Sequence, residues 1–225
     1  MTQAPRAVLF DFDGIILDTE WPIYESYVDL YQKHGHELAL ETYVQCIGSD
    51  FQSWSPETHL EDLTDHEIEF DWPTINKERN IWIREQLATY PSLPGIPEAI
   101  AHCQSLSLKL AVVSSSSHSW VDGWLEKLDL LKHFDRTICR DDVQNIKPAP
   151  DLFLEGAKQL GVEPSECLVI EDSANGLKSA TAAGMSTYII PNRITAVSDF
   201  SSAAAVLSSA AELPTKLDEL FAITN

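Results

Sequence analysis

At 225 residues the chain can bury one substantial core and still carry a smaller inserted unit. Its formal charge of −20 opposes contact with phosphate backbones, which demands clustered Lys and Arg, and so argues against nucleic acid as a partner. No run approaches the ~18 continuous apolar residues of a membrane helix, and Met1 to Arg6 is too short and too polar for a signal peptide, so a cytoplasmic protein free of the membrane is expected.

In chain order, the first feature is an apolar strand, Ala7 to Phe10, that runs into Asp11-Phe12-Asp13-Gly14. If the extension continues, a side-chain period of 2 and a rise of ~3.3 Å put Asp11 and Asp13 on one side, ~6–7 Å apart, with Phe12 turned the other way into packing. Two acids so close repel and need a cation, a shared proton or open solvent. Taken alone, the pair reads equally well as an acidic surface turn. Residues from about 17 to 92 show no buried-strand run but do show helical stretches, Tyr24 to His34 and Ile75 to Ala88. This segment holds 16 Asp and Glu against 4 Lys and Arg, a net −12, and four of the six tryptophans, Trp21, Trp54, Trp72 and Trp82. Pro91 to Pro97 reads as the return linker.

Four further β-rich runs follow: Leu108 to Val113, Phe134 to Cys139, Cys167 to Ile170 and Ser186 to Ile190. Helical patterns separate them. Val121, Trp124, Leu125 and Leu128 share one face; Leu152, Phe153, Gly156, Ala157 and Leu160 share another, opened by Pro150 and closed by Gly161. A third helix is expected from Ser173, its N-cap, to Ala183, with Gly184 as the stop. The Ala-rich tail, Ser201 to Ala211, predicts an edge strand and a surface helix. Strands alternating with helices imply right-handed crossovers and a parallel sheet covered on both faces, which binds ligands beyond its strands' carboxyl ends.

Those ends would present Asp11 and Asp13, then Ser114, then Glu171 and Asp172, with Lys147 arriving from the loop before Pro150. Such a set suits phosphoryl transfer to a carboxylate. Asp11 can attack phosphorus and divide hydrolysis into two displacements through an aspartyl-phosphate. Magnesium would relieve the repulsion by taking oxygens from Asp11, the main-chain carbonyl of Asp13 and Asp172. The four cysteines, Cys46, Cys103, Cys139 and Cys167, form no Cys-x-x-Cys pair, which argues against a zinc site or disulfide framework and leaves a hard cation held by oxygen. Ser114 and the Ser115 N–H would hold phosphate oxygens, with Lys147 compensating charge. Asp13 could then protonate the leaving alcohol and afterwards activate the attacking water.

Four ordered motifs, Asp11-Phe12-Asp13-Gly14 with Asp18-Thr19-Glu20, Val113-Ser114-Ser115-Ser116, Lys147-Pro148-Ala149-Pro150-Asp151, and Glu171-Asp172-Ser173 with Gly176, resemble those of the haloacid dehalogenase-like hydrolase superfamily, in the branch of phosphoglycolate phosphatases and β-phosphoglucomutases. The resemblance implies an α/β fold: a Rossmann-like core from residues 1–16 and 93–225, with a five- to six-stranded parallel sheet, and an inserted α-helical cap domain at 17–92. It implies Asp11 as nucleophile, Asp13 as acid–base group, Asp172 as magnesium ligand, Glu171 as a ligand or an orienter of ligands, and Ser114 and Lys147 as phosphate binders. Asp13 argues against dehalogenation, which needs no proton donor there. Phosphonate cleavage would need a Schiff-base lysine in the cap, where Lys33 and Lys77 sit at no motif.

A sugar phosphomutase is the serious relative. Those mutases resemble one another in a histidine early in the first cap helix and an arginine in the following loop; here the neighbourhoods read Glu20-Trp21-Pro22-Ile23-Tyr24 and Cys46-Ile47-Gly48-Ser49-Asp50, with neither. The expectation is therefore a magnesium-dependent phosphatase of a small phosphomonoester, a sugar or organic-acid phosphate, with a monomer as default and a non-catalytic phosphate-binding module as the rival outside enzymes. Candidate substrate-specificity residues are Glu20, Gly48, Ser49, Trp54 and His118. Trp54 could stack on a sugar ring or pack between helices, and His118 could touch phosphate or face solvent. Asp141-Asp142 could be a metal pair, or a structural pair bridging to Lys147 or Arg140. His34-Gly35-His36 reads as a helix C-terminal cap.

Overall fold

The structure, a computed structural model, describes residues 4–47 and 54–224. Strand β1 (Ala7–Phe10) leads into helices α1 (Glu20–Lys33), α2 (Leu40–Tyr43), α3 (Pro56–Leu63) and α4 (Trp72–Leu87) before the chain returns through α5 (Ile96–Ser105) to β2 (Lys109–Val113). Then follow α6 (His118–Lys127), β3 (Arg136–Ile138), α7 (Asp151–Leu160), β4 (Cys167–Glu171), α8 (Ala174–Ala182), β5 (Ser186–Ile189), β6 (Ala205–Val206) and α9 (Leu213–Thr224). The strands form one parallel sheet in the order β3-β2-β1-β4-β5-β6. This is an α/β, Rossmann-like fold with six strands, the upper of the two numbers expected. Because β1 lies between β2 and β4, the chain order reverses across it, and the crevice at its carboxyl end is where such sheets bind ligands.

Alternation along β1 feeds two cores. Val8 and Phe10, continued by Phe12, join the cluster containing Ile96, Ile100, Val121, Leu125, Leu213 and Leu217. Ala7 and Leu9 face the opposite cluster, with Phe153, Ala157 and Ala180. Both faces of the sheet's centre are thus covered, and β1, β2 after Lys109 and β4 up to Ile170 read as continuous apolar runs. The helical segment has its own aromatic core of Tyr27, Tyr31, Tyr43 and Leu60, into which Ile194 inserts from the loop after β5. Among the described residues no helix is long and apolar enough to cross a membrane.

Several boundaries differ from the sequence expectation. Helix α1 begins at Glu20 rather than Tyr24, since Pro22 lies in the first turn, where a missing N–H breaks no intrahelical bond. The expected linker Pro91 to Pro97 ends early for the same reason: Pro97 sits in the first turn of α5, after Gly95 at φ +86°. Strand β3 is three residues long, and Phe134 instead sets its ring edge-on against Phe10 at 6.0 Å. The tail's edge strand is β6. Its helix starts beyond the alanines at Leu213, where Leu213 and Leu217 supply large side chains to bury. Gly35, at φ +80°, follows the His34 C-cap as expected.

Candidate active site

Asp11 follows β1 directly, its N–H donating to Ile170 O at 2.9 Å, so its carboxyl emerges between β1 and β4. Gly14, at φ +82°, turns the chain back, and its N–H donates to Leu17 O at 2.8 Å. A side chain there would fail sterically as well as conformationally: a Cβ would lie 2.5 Å from Asp172 Oδ2 and 2.8 Å from Asn192 Nδ2. Lys147, from the loop before α7, buries its ammonium and donates three bonds: to Asp11 Oδ1 at 2.7 Å, Glu171 Oε1 at 2.9 Å and Val113 O at 2.9 Å. The last residue of β4, Glu171, accepts at Oε2 from the Asp172 N–H, the Ser173 N–H and the Ser173 hydroxyl, at 2.8, 2.8 and 3.0 Å. That carboxylate fills the space over Gly176, where a Cβ would meet Glu171 Oε1 at 1.7 Å. Ser173 closes the arrangement as the N-cap of α8, accepting from the Gly176 N–H at 3.0 Å.

Asp13 is held on both oxygens. Its Oδ1 accepts from the Thr19 hydroxyl at 2.7 Å and the Trp120 indole N–H at 2.9 Å; its Oδ2 accepts from the Ser116 hydroxyl at 2.7 Å and the Ser114 hydroxyl at 3.2 Å. Asp11, Asp13, Ser114, Ser115, Lys147, Glu171 and Asp172 line one cavity of about 170 Å3, together with Glu20, Trp120 and Arg140. A larger groove, about 910 Å3, runs between α1 and α4. It contains none of these groups, so the chemistry lies with the smaller cavity.

Four buried acids, Asp11, Glu20, Glu171 and Asp172, face one buried base, Lys147. Burial pushes Asp11 up to about 8; Lys147 pulls it the other way, and the charges of Glu171 and Asp13 add to the rise. Glu20 is also pushed by burial to about 8, against the bond it accepts from Asn192. Asp172 stands well above the usual carboxylate range through burial and the neighbouring Glu20 and Glu171. Burial alone would lower the Lys147 ammonium, but Asp11 and Glu171 more than offset it and hold its pKa above the ordinary lysine value. Oxygens of Asp11, Glu171 and Asp172 lie within 4.8 Å of one another. This excess of buried negative charge on hard oxygen donors fits a divalent cation of the magnesium type. Since both Glu171 oxygens already accept bonds from protein donors, the geometry favours it as an orienter rather than a direct ligand.

The other expectations divide. Glu20 is at the site, its Oε2 accepting from Asn192 Nδ2 at 2.9 Å while the same amide donates to Asp172 Oδ2 at 2.7 Å. Trp54 is not: it packs against His59, ring centroids 5.5 Å apart, within the aromatic core of the helical segment. His118 also stands apart, because Asp122 and Asp142 take its two ring nitrogens at 3.0 and 2.8 Å, and Asp141 accepts its main-chain N–H. That contact, rather than a metal or a bridge to Lys147 or Arg140, is what Asp141 and Asp142 serve. Gly48 and Ser49 lie outside the described residues. Sequence reasoning assigns no role to Thr19, Ser116, Trp120 or Asn192, and gives Arg140 only that of a salt-bridge partner for Asp141-Asp142. Thr19 lies in the Asp18-Thr19-Glu20 motif and Ser116 closes the Val113-Ser114-Ser115-Ser116 motif, and Asn192 lies just past the carboxyl end of β5, where the sheet rule directs attention.

The chain is similar to known proteins over most of its length. The family model described as haloacid dehalogenase-like hydrolase matches residues 8–190. A Bacillus subtilis protein named "Putative phosphatase YhcW" is 35% identical over 209 residues, 92% of this chain and 93% of its own. The Escherichia coli fructose-1-phosphate phosphatase YqaB is 28% identical over 185 residues, 82% of this chain and 96% of its own. The crystal structure of β-phosphoglucomutase from Clostridium difficile superposes with a TM-score of 0.77 over 97% of each chain at 23% identity, a likeness of fold. With four motifs meeting at one cavity and a family model spanning most of the sequence, the chain belongs to the haloacid dehalogenase-like hydrolases.

Proposed function

We propose that the chain is a magnesium-dependent phosphatase of a small phosphomonoester, a sugar or organic-acid phosphate, working through an aspartyl-phosphate on Asp11. The observation that carries this reading is the asymmetry of the two acids in one cavity: Asp11 pinned at Oδ1 by Lys147, Asp13 held by four neutral donors. Lys147 orients Asp11 and leaves its Oδ2 to attack phosphorus. As that bond forms, the bond from phosphorus to the leaving oxygen breaks, and Asp13 delivers a proton to the alcohol. The Ser114 and Ser116 hydroxyls, which donate to Asp13 Oδ2, turn to the phosphate oxygens and free that oxygen to carry the proton. In the second displacement Asp13 takes a proton from water, whose oxygen attacks phosphorus and returns Asp11 as a carboxylate. Magnesium, held by Asp11, Asp172 and the Asp13 carbonyl, would neutralise charge on nucleophile and phosphate.

The helical segment at 17–92 acts in this reading as a cap that excludes bulk water and selects the leaving group. Its net −12 disfavours a second phosphate and so a mutase, and the name of the fructose-1-phosphate phosphatase relative supports a sugar phosphate. The test is phosphate release from a panel of sugar and organic-acid phosphates with magnesium. Asp11→Asn should abolish it. Isomerised sugar phosphate appearing faster than free phosphate would favour the mutase, and no turnover of any phosphoester would favour a binding module.

A further inference from the structure

We propose that Trp120 is a positioning residue for Asp13, set in place from the helical segment by Arg84. The proposal rests on the reading of Asp13 as the acid–base group. The two oxygens of Asp13 have different kinds of partner. On Oδ2 sit the hydroxyls of Ser114 and Ser116, which rotate freely and can redirect to phosphate. On Oδ1 sits the Trp120 indole N–H at 2.9 Å, a donor only, which neither accepts nor exchanges its role during turnover, together with the Thr19 hydroxyl. The indole cannot release Oδ1 without moving the whole ring. Oδ1 is therefore the anchored oxygen and Oδ2 the one left to carry the proton.

The ring is braced from two sides. Trp124 meets it edge-on, centroids 5.8 Å apart at 78°, and the guanidinium carbon of Arg84 lies 4.9 Å from its centroid. Arg84 belongs to α4, whose Ile83 and Leu87 are buried in the same apolar cluster as Val121, Trp124 and Leu125 of α6. The helical segment has 4 bases against 16 acids, and one of those bases lies over the indole that touches Asp13. Moving α4 off α6 would take the cation from the ring and loosen the donor on Oδ1. Proton transfer by Asp13 is thereby tied to the seated position of the segment that covers the site.

The test compares kcat/KM, which reports the first phosphoryl transfer, for an alkyl phosphate that needs its leaving group protonated and for p-nitrophenyl phosphate, which needs this far less. Trp120→Phe should lower the alkyl value about tenfold more than the aryl value, a part of the 10²- to 10⁴-fold that acid–base catalysis supplies. Arg84→Met should lower the same ratio about threefold, Arg84→Lys should restore most of it, and Arg84→Met should add nothing in the Trp120→Phe background. Independently of turnover, the Trp120 indole N–H resonance, assigned by its loss in Trp120→Phe, should shift in Asp13→Ala and in Arg84→Met. Equal losses on both substrates, or a resonance unmoved by Asp13→Ala, would overturn the proposal. A wild-type protein that releases no phosphate would refute the phosphatase reading, while the resonance still decides whether Trp120 holds Asp13.

Discussion

Lys147→Met tests the energetics on which the site depends. The ammonium, its side chain 2% exposed, is, among the described residues, the one buried cation beside four buried acids, and it touches two of them at 2.7 and 2.9 Å. Methionine keeps an unbranched apolar side chain but removes the ammonium, which also lies 4.9 Å from the Phe153 ring centroid, and strands Asp11 and Glu171 side by side. Removing one partner of a buried ion pair costs about 3–5 kcal/mol, a large share of the ~5–15 kcal/mol typical of a folded domain. The loss is measured in the metal-free protein by urea denaturation with chelator present. It should grow as pH rises past about 8, because Asp11 then ionises against the ammonium in the wild type but, without Lys147, keeps its proton in the variant. Adding Asp11→Asn removes one stranded carboxylate and should return about 1.5 kcal/mol or more, a recovery that distinguishes charge from packing. A cost under about 1 kcal/mol near pH 8, or no recovery in the double variant, would refute the reasoning, since a buried pair at these distances cannot be cut without consequence.

Two further outcomes follow from the same charges. Asp11 and Glu20 bind protons more tightly in the folded chain, so metal-free stability should fall as pH rises from about 4 through about 8. Under the proposed ligand set magnesium would displace the Asp11 proton, so its affinity should rise across that window with proton release, readable by calorimetry in buffers of different ionisation enthalpy; a pH-independent affinity would contradict the assignment of Asp11 and Asp172 as ligands. His118→Ala should leave kcat/KM within about twofold, because both ring nitrogens are spent on Asp122 and Asp142. Burial would lower the His118 imidazole, but those carboxylates raise it overall, so the contribution is present below its ordinary pKa and lost as pH rises through the folded value. At 34% exposure, solvent screening limits it to no more than about 1 kcal/mol, checked by thermal melts at acid and neutral pH. A large change in substrate preference in that variant would return His118 to the site.

The parts of this molecule that sequence reveals are those whose chemistry is written in neighbouring residues. Asp11 and Asp13, Ser114, and Glu171 and Asp172 each stand at the end of an apolar run, so strand direction alone brings them together, and the motif around Lys147 opens α7. Helix α1 starts ahead of Pro22 and the 91–97 linker gives way to α5 ahead of Pro97, because proline, read first as a breaker, costs little where the N–H has no intrahelical partner. The residues that went unassigned reach the site sideways. Trp120 comes from the first turn of α6 and Asn192 from a loop that also sends Ile194 into the aromatic core of the helical segment and stacks Arg193 on Trp21 at 3.6 Å. No local spacing marks such a loop. Yet the Asn192 amide nitrogen donates to both Glu20 and Asp172, between two of the buried acids. A cluster of buried acids cannot persist on repulsion alone. The neutral donor between Glu20 and Asp172 comes from the turn after β5, beyond the strands that carry the acids, where one amide nitrogen donates to both carboxylates.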